Sequence, residues 1–136
     1  MLADEVATYL AAAGLGLTVG VDLFTLPWPA TAPDLAVSLV ESDAGPSEQH
    51  FGPSLSAPQV ERPGLTVMVR GGRDAAETAR AKAHDTYKRL RRLGPVTLSG
   101  VLYHHVDAEP PQFLDFDDNG RPVFVFRCDV WKEESP

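Results

Sequence analysis

The sequence predicts a single α+β domain: a mostly antiparallel or mixed sheet of about five to six strands, with an N-terminal helix and a long central helix packed on one face. Three observations lead there. Residues 65–70 (LTVMVR) alternate with period two and run directly into a long amphipathic stretch. Residues 2–13 carry apolar side chains at helical spacing. Residues 112–131 read as two strands joined at Asn119-Gly120, a dipeptide suited to a two-residue hairpin turn.

The central strand places Leu65, Val67 and Val69 on one face and Thr66, Met68 and Arg70 on the other. Gly71-Gly72 breaks it, and a helix is expected from Asp74, with Glu77 at capping-box spacing. Ala76, Ala79, Ala83, Tyr87 and Leu90 form its apolar stripe. Asp74 and Glu77 near the start and Lys88, Arg89, Arg91 and Arg92 near the end match the helix dipole. The same basic cluster could instead bind nucleic acid or an acidic partner. Gly94-Pro95 terminates a helix of about 20 residues, roughly 30 Å long.

Before this unit, the first helix presents Leu2, Val6, Tyr9, Leu10 and Ala13, and Gly14 and Gly16 stop it. Residues 21–26 and 34–41 read as strands, and the short connection between them suggests an antiparallel pair. Trp28 lies between Pro27 and Pro29, as a plug over the core edge or a handle for a partner. Residues 43–63 form a long Pro/Gly-rich loop with four prolines, room for a short strand near residues 49–51, and an apolar Phe51 that docks on the parent domain or on a neighbour. After the helix, VTLSGVLYHH is β-rich, with Gly100 as a bulge. The hairpin then sets Phe116 against Val123 and Leu114 against Val125, with Phe124, Phe126, Cys128 and Val130 on one apolar face. The polar tail from Lys132 onward is expected to fray.

Composition suits one domain spanning residues 1–136: 43% hydrophobic and 23% charged. A formal charge of −7 makes a poor general binder of DNA backbone. Cys128 is the only cysteine, so no internal disulfide or cysteine-based zinc site can form within one chain. No apolar run approaches a membrane span, and the acidic N-terminus does not read as a secretory signal.

No constellation for catalysis, cofactor or metal emerges. Asp115-Phe116-Asp117-Asp118-Asn119-Gly120 matches the first half of a calcium loop, but Phe126 occupies the position of the bidentate glutamate. Adjacent strand residues His104 and His105 should point to opposite faces and cannot chelate one metal. His84 has no helical partner and His50 lies in the loop. The glycines before the long helix lack the spacing of a dinucleotide fold or the Lys-Ser/Thr of a P-loop.

The order of these elements resembles the phage minor-capsid and tail-terminator family. The pieces that carry the likeness are Pro63-Gly64 with residues 67–71 (VMVRG), the helix segment from Ala81-Lys82-Ala83 to Tyr87, and residues 111–126 (PQFLDFDDNGRPVFVF). The resemblance implies a virion structural protein without enzymatic activity or cofactor. It would be built in the host cytoplasm as a homo-oligomeric ring, commonly a hexamer, at the phage neck. It would sit on the tail-tube protein, end tube growth and meet the head connector, while DNA passes the lumen unread. Trp28, His50, Phe51, Arg62, Arg70 and Arg73 are the expected contact residues. A head-completion protein of the same neck is the alternative role. A small enzyme or ligand-binding domain using the His104/Asp115 region is the alternative class.

Overall fold

The computed structural model describes residues 2–42 and 60–133. The expected strand near residues 49–51, and with it His50 and Phe51, lies outside the described residues. The elements are α1 (Leu2–Ala11), β1 (Leu23–Phe24), β2 (Ala36–Ser42), β3 (Val60–Glu61), β4 (Gly64–Arg70), α2 (Ala76–Arg91), β5 (Val96–Leu98), β6 (Val101–Ala108), β7 (Gln112–Phe116) and β8 (Pro122–Glu133).

Strand β8 is the spine. Its alternation buries Phe124, Phe126, Cys128 and Val130 on one face. Register shows how it holds so many partners. β4 pairs with residues 123–129 and β3 with residues 132–133 along one edge. β6 pairs with residues 128–132 and β7 with residues 122–125 along the other. The path across the sheet is β1-β2-β4-β8-β6-β5, giving eight strands in one mixed sheet among the described residues, more than expected. The surplus comes from two short pieces, β3 with two residues and β5 with three, the latter split from β6 by a turn.

α2 packs on β4, β6 and β8, and α1 on β1, β2 and α2. Ala79 and Ala83 are fully buried, and Tyr87 meets Phe126 edge-on at 5.9 Å. The basic side chains of α2 also hold the segment that follows α1: Lys82 donates to the Leu15 carbonyl and Arg89 to the Ala13 carbonyl. Among the described residues no helix is long and apolar enough to cross a membrane.

Several expectations are corrected. β1 and β2 run parallel, with Leu23 opposite Val37, because the proline-rich connection does not fold back as a hairpin but loops out and returns. α2 has 16 residues, about 24 Å, and starts at Ala76. Asp74 does not cap it, since Ala75 N–H bonds to the Gly72 carbonyl and spends Asp74 in a turn. Ala76 is exposed, and Thr86 is buried instead, its hydroxyl bonded back to the Lys82 carbonyl at 2.8 Å. Gly100 is not a bulge. It shares with Ser99 the tight turn of the β5–β6 hairpin, both at positive φ. The irregularity falls at His104, skipped between Tyr103 opposite Lys132 and His105 opposite Trp131. That extra residue breaks the alternation, so His104 and His105 are both exposed.

The C-terminal hairpin is out of the expected register for one reason. Gly120 N–H bonds to the Asp117 carbonyl and Asp117 N–H to the Arg121 carbonyl, with Gly120 at φ 74. This is a three-residue loop in which glycine takes the left-handed position after a tight turn, not a two-residue turn at Asn119-Gly120. Phe116 therefore faces Pro122, Asp115 faces Val123 and Leu114 bulges. Finally, Lys132 and Glu133 are not a frayed tail. They complete β8, and the period-two pattern carries Lys132 onto the buried face at 5% exposure.

Candidate assembly surface

Two polar clusters mark opposite ends of β8. At its start, Arg70 turns back over the loop between β1 and β2. Its guanidinium donates to the carbonyls of Pro33 at 2.8 Å, Asp34 at 3.2 Å and Ala32 at 3.4 Å. It also lies 4.8 Å from the centre of the Trp28 ring. Arg70 is 3% exposed, and burial, followed by the nearby Arg121 cation, pulls its pKa below the ordinary arginine value. Its contacts explain why the connection stays looped out: a planar fork satisfies three carbonyls that no strand partner reaches.

Outside it lies a second layer. Arg121 joins Asp117 at 2.7 Å and Asp34 at 3.3 Å. The exposed Arg73 lies beside Gly120, and Asp34, Arg73, Asp118, Asn119 and Arg121 line a polar cleft of about 330 Å³. Asp117 anchors the turn. Partial desolvation raises its pKa, but the backbone N–H and guanidinium of Arg121 and the N–H of Asn119 outweigh it and hold the carboxyl below its ordinary value. A depressed folded-state pKa means a contribution to stability that is present above the ordinary carboxylate pKa of about 4 and lost as pH falls through the folded value. Asp117→Asn should therefore lower Tm at pH 7 and flatten its decline below about pH 4, in a pH series of thermal melts.

At the far end, the Tyr103 hydroxyl donates to the Glu5 carboxylate, and Lys132 Nζ lies 3.9 Å from the same oxygen. All three side chains are buried. Burial, then the Glu5 carboxylate, drives the Tyr103 pKa far above its usual value, so it remains a donor at any working pH. Nearby, Arg62 lies 4.5 Å over the Trp131 ring, Trp131 packs on His105 at 5.2 Å, and His104 reaches Glu133 at 3.6 Å. The described residues that flank the 43–59 segment lie at this end of the sheet, since Ser42 pairs with Gly64 and Val60 with Glu133.

Of the expected contact residues, Trp28, Arg70 and Arg73 thus come together at one end of the sheet, and Arg62 lies at the other. Trp28 is half-buried and stacked inward on Arg70. His104 and Asp115 are not brought together. Tyr103, next to His104, pairs with Lys132 and Asp115 pairs with Val123, nine residues apart on β8 or about 30 Å. Among the described residues no three His, Cys, Asp or Glu side chains converge as metal ligands. Cys128 is fully buried, and desolvation followed by Asp129, Asp107 and Glu109 pushes its thiol up to about 12. A thiol reagent at pH 8 should therefore label the folded chain far more slowly than the urea-unfolded chain, with the difference lost in step with unfolding.

Sequence reasoning missed the Glu5–Tyr103–Lys132 cluster and the exposed apolar residues. The helical stripe of α1 was legible without showing that Glu5 lies on it. The one available signal was that Lys132 continues the alternation from Phe124 to Val130. The exposed apolar residues fall in two groups, Val19, Val21 and Leu26 on one side and Phe113, Leu114 and Phe116 on the other.

The comparisons with known proteins fit this architecture. Residues 9–129 match the family model for bacteriophage tail terminator proteins. No curated protein matches the sequence. A chain from a structure described as the virion of a native gene transfer agent particle has the same fold. Its TM-score is 0.65 at 18% identity, over 98% of this chain and 95% of that one. A family match spanning nearly the whole chain, over a fold also found in a virion, has one reading: the chain belongs to the bacteriophage tail terminator protein family, a structural component of the phage tail.

Proposed function

We propose that this protein forms a ring, a hexamer, on the head-proximal end of the phage tail tube. There it ends tube polymerisation and joins the tail to the head connector. The observation that carries this reading is the family match over residues 9–129. The acidic balance of the chain suits a part that DNA passes without being gripped. Trp28 and Arg73 at one end of the sheet and Arg62 at the other, together with His50 and Phe51 of the 43–63 segment, are the contact residues to neighbouring chains. Arg70 acts through the loop that it holds. The test is a phage lacking the gene, imaged by electron microscopy. Unjoined tails of uncontrolled length are expected, restored to normal by supplying the protein in trans. Tails of normal length joined to heads would overturn the proposal, and normal tails beside heads that leak DNA would move the protein to head completion.

A further inference from the structure

One row of residues crosses the whole sheet. Val19 bridges to Leu23, Leu23 pairs with Val37, Val37 with Val69, Val69 with Phe124 and Phe124 with Phe113. The four inner members are buried, while Val19 and Phe113 at the two ends are each 49% exposed. The apolar layer therefore runs off both sides of the sheet and stops at solvent.

The two sides have different shapes. On the β7 side, Phe113 packs edge-on against Phe124 at 5.6 Å and against Phe116 at 5.1 Å, which makes a raised aromatic pair beside the bulged Leu114. β7 is also an edge strand, paired only with β8 among the described residues. On the β1 side there is a groove of about 310 Å³, with Ala3, Thr25, Leu26 and Val40 in its lining, and Leu26 on its rim is 69% exposed. All the large exposed apolar side chains among the described residues belong to one side or the other.

We infer that the β7 side of one copy seats on the β1 side of the next, with Phe116 entering the groove beside Leu26. This rests on the ring assembly proposed above and names the surface that would build it. A second copy is the occupant that the areas favour. Three half-exposed large side chains offer roughly 300 Å² per side, hence about 600 Å² of apolar area between the two. At an apolar share near 60%, the contact buries about 1,000 Å² in all, the size at which a specific interface becomes stable. An isologous contact would cover one side and leave the other bare. A head-to-tail contact covers both, and such contacts close into rings when the rotation permits. Asp115 stands next to Phe116 in the chain, and Asp4 and Glu41 line the groove, so like charges meet across the contact and association should strengthen as salt is raised.

The test uses the full-length protein with Phe116→Asp and Leu26→Asp, each checked by thermal melting to be folded, and masses read by sedimentation velocity across a concentration series. Each variant alone should associate at least about tenfold more weakly than the wild type. Mixed in equal amounts, the two should form a heterodimer that grows no further, since one retains the groove and the other the aromatic pair. Failure has two distinct forms. If the wild type stays monomeric up to high concentration and salt, the self-assembly reading falls along with this surface. If the wild type assembles and either variant assembles equally well, or the mixture makes no heterodimer, the surface alone is wrong and the ring is built elsewhere.

Discussion

Replacing Lys132 by alanine should lower the free energy of unfolding by about 3–5 kcal/mol, because it removes the cation beside a carboxylate that has left water. Lys132 Nζ and the Tyr103 hydroxyl converge on one oxygen of Glu5, with the lysine also 5.8 Å from the centre of the Tyr103 ring. Exposed ion pairs contribute little, but a buried pair that loses one member leaves a charge the protein cannot easily hydrate. The double variant Glu5→Leu/Lys132→Met should cost much less than the sum of its parts, since it removes the charge together with its partner. Urea denaturation of Lys132→Ala and of the wild type, Glu5→Leu, Lys132→Met and the double variant measures this. A Lys132→Ala loss under about 1 kcal/mol would show that the pair is hydrated, and the cluster would then not be a structural pin.

Gly94→Ala should be nearly as damaging, at about 2–4 kcal/mol. Gly94 sits at φ 105, where side chains are strained, and an added Cβ would lie 2.8 Å from the His104 carbonyl oxygen and 3.0 Å from its carbon. The obstacle is backbone, so no rotamer change can relieve it. The carbonyl belongs to the residue skipped in the pairing of β6 with β8, and the end of α2 and that irregularity are fixed against each other. The variant should show a Tm lower by roughly 10 °C, with a changed near-UV spectrum from the adjoining Tyr103 and Trp131. An unchanged Tm would mean that the β6 bulge can shift freely.

Much of the fold could be read from the chain because some patterns are self-sufficient. The alternation in β4 and in Phe124 to Val130, the helical stripe of α1 and the alanine face of α2 each state their own period. The rest depends on partners distant in sequence. Val21 to Leu26 alternates like a strand, yet only Leu23 and Phe24 find a neighbour, and Arg70 from another element decides that the chain beyond them loops out. Asn119-Gly120 suits two turns that differ by one residue. The choice is made by Asp117, whose carboxylate gathers the N–H groups of Asn119 and Arg121. Lys132 looks like solvent-facing tail until Glu5 is placed opposite it. The proposed contact surface was the least legible. The apolar residues of β7 have the composition of core, and only their exposure in the folded chain shows that they are left uncovered.

The double-sided grip on β8 has a mechanical consequence. Bonds in antiparallel ladders lie across the strand, so a pull along β8 strains the rungs on both flanks together instead of peeling them off in turn. β1, fastened to β2 by two residue pairs, has no such protection. Under tension the subunit should therefore give way first at that outer corner and last along its spine.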